Sequence, residues 1–124
     1  MTSRREARRT AVFLLYQWDV TGRALASLHE GEIDPYAASL AEEAQARAAE
    51  LDGRVTAASV GWPAGRLGAL ERNVLRVALV ELDRGEPPTE VVLDEAVRLA
   101  KRYASEDAGR LVNGILARVV REAA

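Results

Sequence analysis

The chain has 124 residues, with 17 Lys and Arg against 19 Asp and Glu and a formal net charge of -2. That length suits one domain with an ordinary core, and the absence of cysteine excludes a disulfide framework, a thiolate nucleophile and a cysteine-ligated zinc site, in keeping with a reducing, cytoplasmic setting. No apolar run approaches the roughly 20 residues of a membrane span.

Hydrophobic residues make up 48% of the chain, most of them Ala, Leu and Val, with one Phe, three Tyr and two Trp. Such a composition favours helix, and no alternating strand pattern bounded by hairpin turns is present. Arginines precede the apolar stretch Thr10 to Trp18, as in an export signal, but polar Thr10 and Gln17 lie within it and no small-residue cleavage site follows. The stretch is therefore taken as mature structure.

The first helix is expected to start at Ser3 as N-cap, with Ala7, Ala11, Leu14, Leu15 and Trp18 on its inward stripe and an end at Thr21-Gly22. A loop around GEIDP follows. Asp34-Pro35 then supplies an N-cap and a proline at the first helical position, ahead of the helical stretch YAASLAEEAQARAAEL. Asp52-Gly53 is either a break or the first turn of a further helix, and Gly61-Trp62-Pro63 is a corner. The segment RLGALERNVLRVALVEL places Leu67, Leu70, Val74, Val77 and Ala78 on one face and widens it with Leu75, Leu79 and Leu82. So broad an apolar surface predicts a central, buried helix. Thr89 is expected to cap the next helix, lined by Val92, Ala96, Leu99 and Tyr103. Ser105 and Asp107 open the last one, which buries Leu111, Val112, Ile115, Leu116 and Val119. The pattern gives five long helices and one or two short ones, with short loops that make sequential helices antiparallel.

Catalytic constellations fail on inventory. The single histidine, His29, is expected in a solvated loop, and no second imidazole exists to complete a common metal site. Neither a phosphate loop ending in Lys-Ser/Thr nor a dinucleotide fingerprint is present. The acidic positions Glu42-Glu43, Glu90 and Asp94-Glu95 fall on amphipathic helices and are taken as solvated faces. No enzyme, cofactor or metal is expected.

The opening RREARRTAVFLLYQWD is the clearest binding signal. Arg5, Arg9, Val12 and Tyr16 follow at steps of four, three and four and so share a helical stripe, with Arg8 beside it and Arg4 before it. Because the inward stripe lies on another side, these arginines are expected to face outward. Three uses fit such a patch: plain solvated surface, an anionic membrane, or nucleic acid. Guanidinium groups contact phosphates bidentately and stack on bases, and a tyrosine beside them offers a stacking face. A membrane surface would need a broad exposed apolar face, which the core already claims. Glu6 interrupts the patch.

Three stretches in order, RREARRTAVFLLYQWD, LERNVLRVALVEL and PPTEVVLDEAVRLAKRYASEDAGRLVNGIL, resemble the bacterial transcription antitermination factor NusB family across nearly the whole chain, Thr21 to Asp34 matching least. The resemblance implies an all-α bundle of about six to seven helices in two small subdomains, about 1–60 and about 61–124. It implies no enzymatic activity. It further implies binding of a boxA-type single-stranded RNA element in nascent ribosomal RNA transcripts, and a partner, the ribosomal-type protein NusE, in an RNA polymerase antitermination complex. Self-association through the RNA-facing side stays open. By the same resemblance the RNA-binding residues are Arg4, Arg5, Arg8, Arg9, Tyr16 and Asp107, the last tuning affinity, and Glu71 contacts the protein partner. Two positions depart from the family pattern: Glu6 stands where relatives often carry a basic residue, and Leu111 where the side chain can be aromatic. A similar module occurs fused to RNA methyltransferases, but 124 residues hold no second domain for a methyl donor. The remaining alternative is a helical protein–protein adaptor without RNA contact.

Asn113-Gly114 lies in mid-helix, where glycine costs about 1 kcal/mol against alanine. It is taken as a close helix crossing at Gly114, with Asn113 bonding a buried backbone group and RNA contact as the rival use. Trp18 and Trp62 are expected in core or rim packing.

Overall fold

The computed structural model describes residues 3–59 and 66–123. It contains six α-helices: α1 Arg4–Thr21, α2 Pro35–Ala46, α3 Ala48–Ala58, α4 Ala69–Arg84, α5 Thr89–Tyr103 and α6 Glu106–Ala123, with a 3₁₀ turn at Leu25–Ser27. No strand occurs among the described residues. The Gly61-Trp62-Pro63 corner and the packing of Trp62 lie outside them.

Side-chain caps fix three of the six starts. Ser3 Oγ accepts from Glu6 N at 3.1 Å, and Asp34 Oδ2 accepts from Tyr36 N at 2.9 Å and Ala37 N at 3.1 Å. Ser105 Oγ accepts from Ala108 N at 3.0 Å. Each satisfies a donor that the first helical turn leaves unpaired. α5 differs from expectation by one position: Pro88 takes the N-cap place and Thr89 is the first helical residue. Gly22 at φ 74° and Gly85 at φ 77° close α1 and α4 in the left-handed conformation that glycine adopts without strain.

The chain bends between α2 and α3 at Arg47 (φ -103°, ψ 13°) rather than at Asp52-Gly53. Arg47 is clamped there by Glu43 at 2.9 Å, Glu50 at 2.7 Å and Asp83 at 2.6 Å. Asp52 and Gly53 run on inside α3, where Leu51 and Val55 face the core and Asp52 accepts from Arg76 of α4 at 2.6 and 2.8 Å.

α4 is the centre. Every residue from Asn73 to Glu81 is buried, and the helix packs against each of the other five. Leu75 and Leu79 of α4 join Leu15 of α1, Leu40 of α2, Leu51 of α3 and Leu116 of α6 in one cluster closed to solvent. Burying each such side chain contributes about 1.5–3 kcal/mol. α4 also carries polar groups into this interior. Asp19 Oδ2 accepts from Arg72 Nε at 2.8 Å, Asn73 Nδ2 at 3.0 Å and Arg76 Nη1 at 3.1 Å. Burial works to raise the Asp19 pKa, but the hydrogen bonds from Arg72 and Asn73 and the charges of Arg72 and Arg76 outweigh it and hold the carboxyl below its ordinary value.

Candidate nucleic-acid and partner surfaces

α1 does not present its arginines as one outward stripe. Arg8 is 5% exposed and lies inward with Ala7, Ala11 and Val12. Its Nε and Nη2 donate to Glu81 Oε1 and Oε2 at 2.5 and 2.8 Å, and Glu81 is wholly buried on α4. Tyr36 of α2 completes the group by donating from its hydroxyl to Glu81 Oε2 at 2.6 Å. Burial pushes the Tyr36 pKa up, and the bond to the Glu81 carboxylate adds to the effect. The outward placement expected for Arg8, and for Val12 on the same stripe, is thus corrected. A buried carboxylate near the end of the largely apolar stretch VLRVALVEL calls for a buried cation, and Arg8, one position after Ala7 and three before Ala11, is set to supply it. The clue in the sequence was Glu81.

The other three arginines of α1 are exposed. Arg4 lies over the Tyr36 ring at 3.8 Å from its centroid, with Arg84 at 5.9 Å. Arg5 forks onto Glu95 of α5, with bonds of 2.8, 3.1 and 3.2 Å. Arg4 and Arg9 form no ion pair among the described residues. Half of the tract's charge is therefore matched by carboxylates within the fold, while Arg4 and Arg9 are exposed and meet the Tyr36 ring and the Tyr103 phenol. A groove of about 750 Å³ opens beside Arg4, floored by Tyr36 and Arg8 and walled by Pro87, Pro88 and Val91.

Further along α1, the Phe13 ring meets Tyr103 of α5 edge to face, centroids 4.9 Å apart. Arg102 Nε donates to the Tyr103 hydroxyl at 3.1 Å. Arg102 first, and Arg9 after it, hold that phenol below its ordinary pKa. Tyr16 is exposed at 38%; Leu111, expected to be buried on the last helix, is also exposed at 38%, because Val112, Ile115 and Leu116 form the buried side of α6. Asp107 projects into solvent at the start of α6 and pairs locally with Arg110.

Glu71 is half-buried in the first turn of α4. Its carboxylate folds back over Gly68, where a β-carbon would collide with it. An acid in this position is favoured by the helix dipole, so Glu71 serves the start of α4 whatever else it touches.

Three further expectations change. His29 is half-buried rather than solvated: its Nδ1 is closed off without a hydrogen-bond partner, against a hollow of about 100 Å³, because Leu25, Leu28 and Ile33 of the same loop pack onto the core. Gly114 is exposed and a β-carbon there would meet nothing, whereas one at Gly109 would collide with Lys101 Cγ. The close α5–α6 crossing is thus at Gly109. Asn113 is exposed instead of bonding buried backbone. Trp18 packs on the core rim beneath Arg76, as expected.

No group of three or more His, Cys, Asp or Glu side chains poised for a metal occurs among the described residues, and no described helix is long and apolar enough to cross a membrane. The fold and its surfaces define an all-helical protein whose opening helix carries exposed guanidinium groups without a carboxylate partner among the described residues. A sequence model of the NusB family matches residues 5–121. The chain belongs to the NusB family. It is 40% identical over 121 residues to the transcription antitermination protein NusB of Rubrobacter xylanophilus, covering 92% of this chain and 87% of that one. It is 35% identical over 133 residues to the corresponding protein of Solibacter usitatus, covering 98% and 91%. A crystal structure of antitermination factors NusB and NusE in complex with dsRNA has the same fold, with a TM-score of 0.84, 32% identity and 96% of each chain covered.

Proposed function

We propose that this chain is a non-enzymatic antitermination factor that holds a boxA-type single-stranded RNA of nascent ribosomal RNA transcripts and bridges it to a NusE-type ribosomal protein. The observation that carries the reading is the placement of Arg4 and Arg9: two exposed guanidinium groups, with no carboxylate partner among the described residues, on the helix that also displays Tyr16. A related structure of NusB and NusE in complex with dsRNA, covering 96% of this chain, supports contact with RNA and with a NusE-type partner. Arg4 and Arg9 contact phosphates, Arg5 joins them when RNA competes with Glu95, and Tyr16 stacks on a base. Asp107 limits affinity by repulsion. Arg8 acts from inside, by holding α1 against α4. Glu71 faces the protein partner from the start of α4.

The test is binding of a labelled boxA-type RNA across salt, with and without NusE. About three phosphate contacts give a slope of log affinity against log salt near -2 for a single strand, and the partner raises affinity through effective concentration. Partner binding with no salt-dependent RNA affinity would instead identify a protein–protein adaptor.

A further inference from the structure

The charge that α1 gives up to internal ion pairs reappears on α5. Arg98 and Arg102 stand one turn apart on its exposed side, with Lys101 between them. Arg98 has no carboxylate partner among the described residues, and Arg102 donates only to the neutral Tyr103 hydroxyl. Lys101 makes a long ion pair with Glu106, 3.9 Å, between partly exposed side chains. Like charges at these spacings repel along a helix. The helix dipole favours Lys101 and Arg102 in the last turn, but it explains neither Arg98 nor the approach of Arg9 from α1.

Arg98 and Arg102 also separate two hollows. On the α1 side they wall a cleft of about 220 Å³ together with Arg5, Arg9 and Tyr103, where four arginines face the single carboxylate of Glu95. On the α6 side they wall a groove of about 800 Å³ with Lys101, Asn113 and two acids, Asp94 and Glu106. Arg9 lines the first cleft, so basic side chains reach from α1 onto α5, interrupted by Glu95 in the cleft and by Asp94 and Glu106 in the groove. Beyond it, the exposed Asn113 side chain presents both donor and acceptor groups.

From this geometry we infer that Arg98, Lys101 and Arg102 form a phosphate track that carries single-stranded RNA from the α1 arginines across α5 to Asn113. The inference rests on the RNA-binding reading above and extends the bound strand past the α1 patch. Arg9, Arg98 and Arg102 take successive phosphates, and Asn113 meets a base edge or a 2′-hydroxyl.

The experiment titrates two labelled RNAs, a boxA-type strand and the same strand with a polyuridine extension, against the full chain across salt. Arg98→Ala with Arg102→Ala should reduce the magnitude of the salt slope by about 1.4, two contacts at about 0.7 each, and abolish the affinity gained from the extension. Arg98→Lys with Arg102→Lys should retain most of the slope. Arg23→Ala with Arg121→Ala, which removes equal charge elsewhere, should leave the slope as it is. An unchanged slope in the α5 alanine variant, or an equal loss in the remote pair, overturns the track and leaves the α1 reading standing. A wild-type chain that binds neither RNA removes both.

Discussion

Glu81 of α4 holds Arg8 of α1 through two bonds, 2.5 and 2.8 Å long, with neither side chain open to solvent. An ion pair of this kind recovers its desolvation cost only while both partners are present. Glu81→Ala should therefore lower the free energy of unfolding by about 3–5 kcal/mol, read from urea denaturation. Arg8→Met combined with Glu81→Leu should restore most of it. RNA affinity in the double variant should stay close to wild type, since Arg8 is 5% exposed and its guanidinium is committed to Glu81.

Asp19 makes stability sensitive to acid. Its folded pKa lies below the ordinary value of 3.8, so its contribution is fully present above that value and is lost as pH falls through the folded pKa. Glu43 and Asp83 are also held low, Glu43 by hydrogen bonds from Arg84 and Arg47, and Asp83 by Arg54 and Arg47 against the opposing effect of its burial. Urea midpoints should stay level from pH 7 to about 5 and fall steeply below about 4. Asp19→Asn should be less stable at pH 7 and show a shallower acid limb.

The glycines of the helices should respond in opposite directions. Gly53 and Gly114 are helical, and a β-carbon at either meets open space. Gly53→Ala and Gly114→Ala should each stabilise by about 0.5–1 kcal/mol. Gly109→Ala should destabilise, because Lys101 must give way where α5 and α6 cross. Thermal melts of the three single variants check this.

Glu71 has a structural task and a proposed partner contact, and two variants separate them. Glu71→Gln should keep the fold, losing only a favourable dipole interaction of about 0.3–1 kcal/mol. Glu71→Arg should weaken NusE binding by far more than Glu71→Gln does, with RNA affinity of the isolated chain unchanged. Titration calorimetry with the purified partner gives the comparison.

The helix boundaries were legible wherever local chemistry decides them: Ser3, Asp34 and Ser105 cap as their side chains dictate, and Gly22 ends α1. The centrality of α4 was legible from the width of its apolar face. What stayed hidden depends on residues distant in sequence. Glycine at position 53 looks like a break because glycine weakens helices, but flanking burial and the Asp52–Arg76 bridge hold α3 together. Arg8 looks like its neighbours until Glu81, on another helix, claims it. The α5 ridge was hidden differently: Arg98 and Arg102 look like a solvated face, and only the packing of Tyr103 against Phe13 brings them beside Arg9.

Glu71 and Glu81 sit ten positions apart on a helix without internal breaks, a separation of about 15 Å at 1.5 Å per residue. One end of that rod meets the opening helix through Arg8, and the other carries the half-buried Glu71. α4 therefore works as a gauge, fixing both the offset and the angle between two faces of the molecule. Inserting one residue between these glutamates would swivel one face by about 100° against the other, a misalignment that no surface substitution could repair.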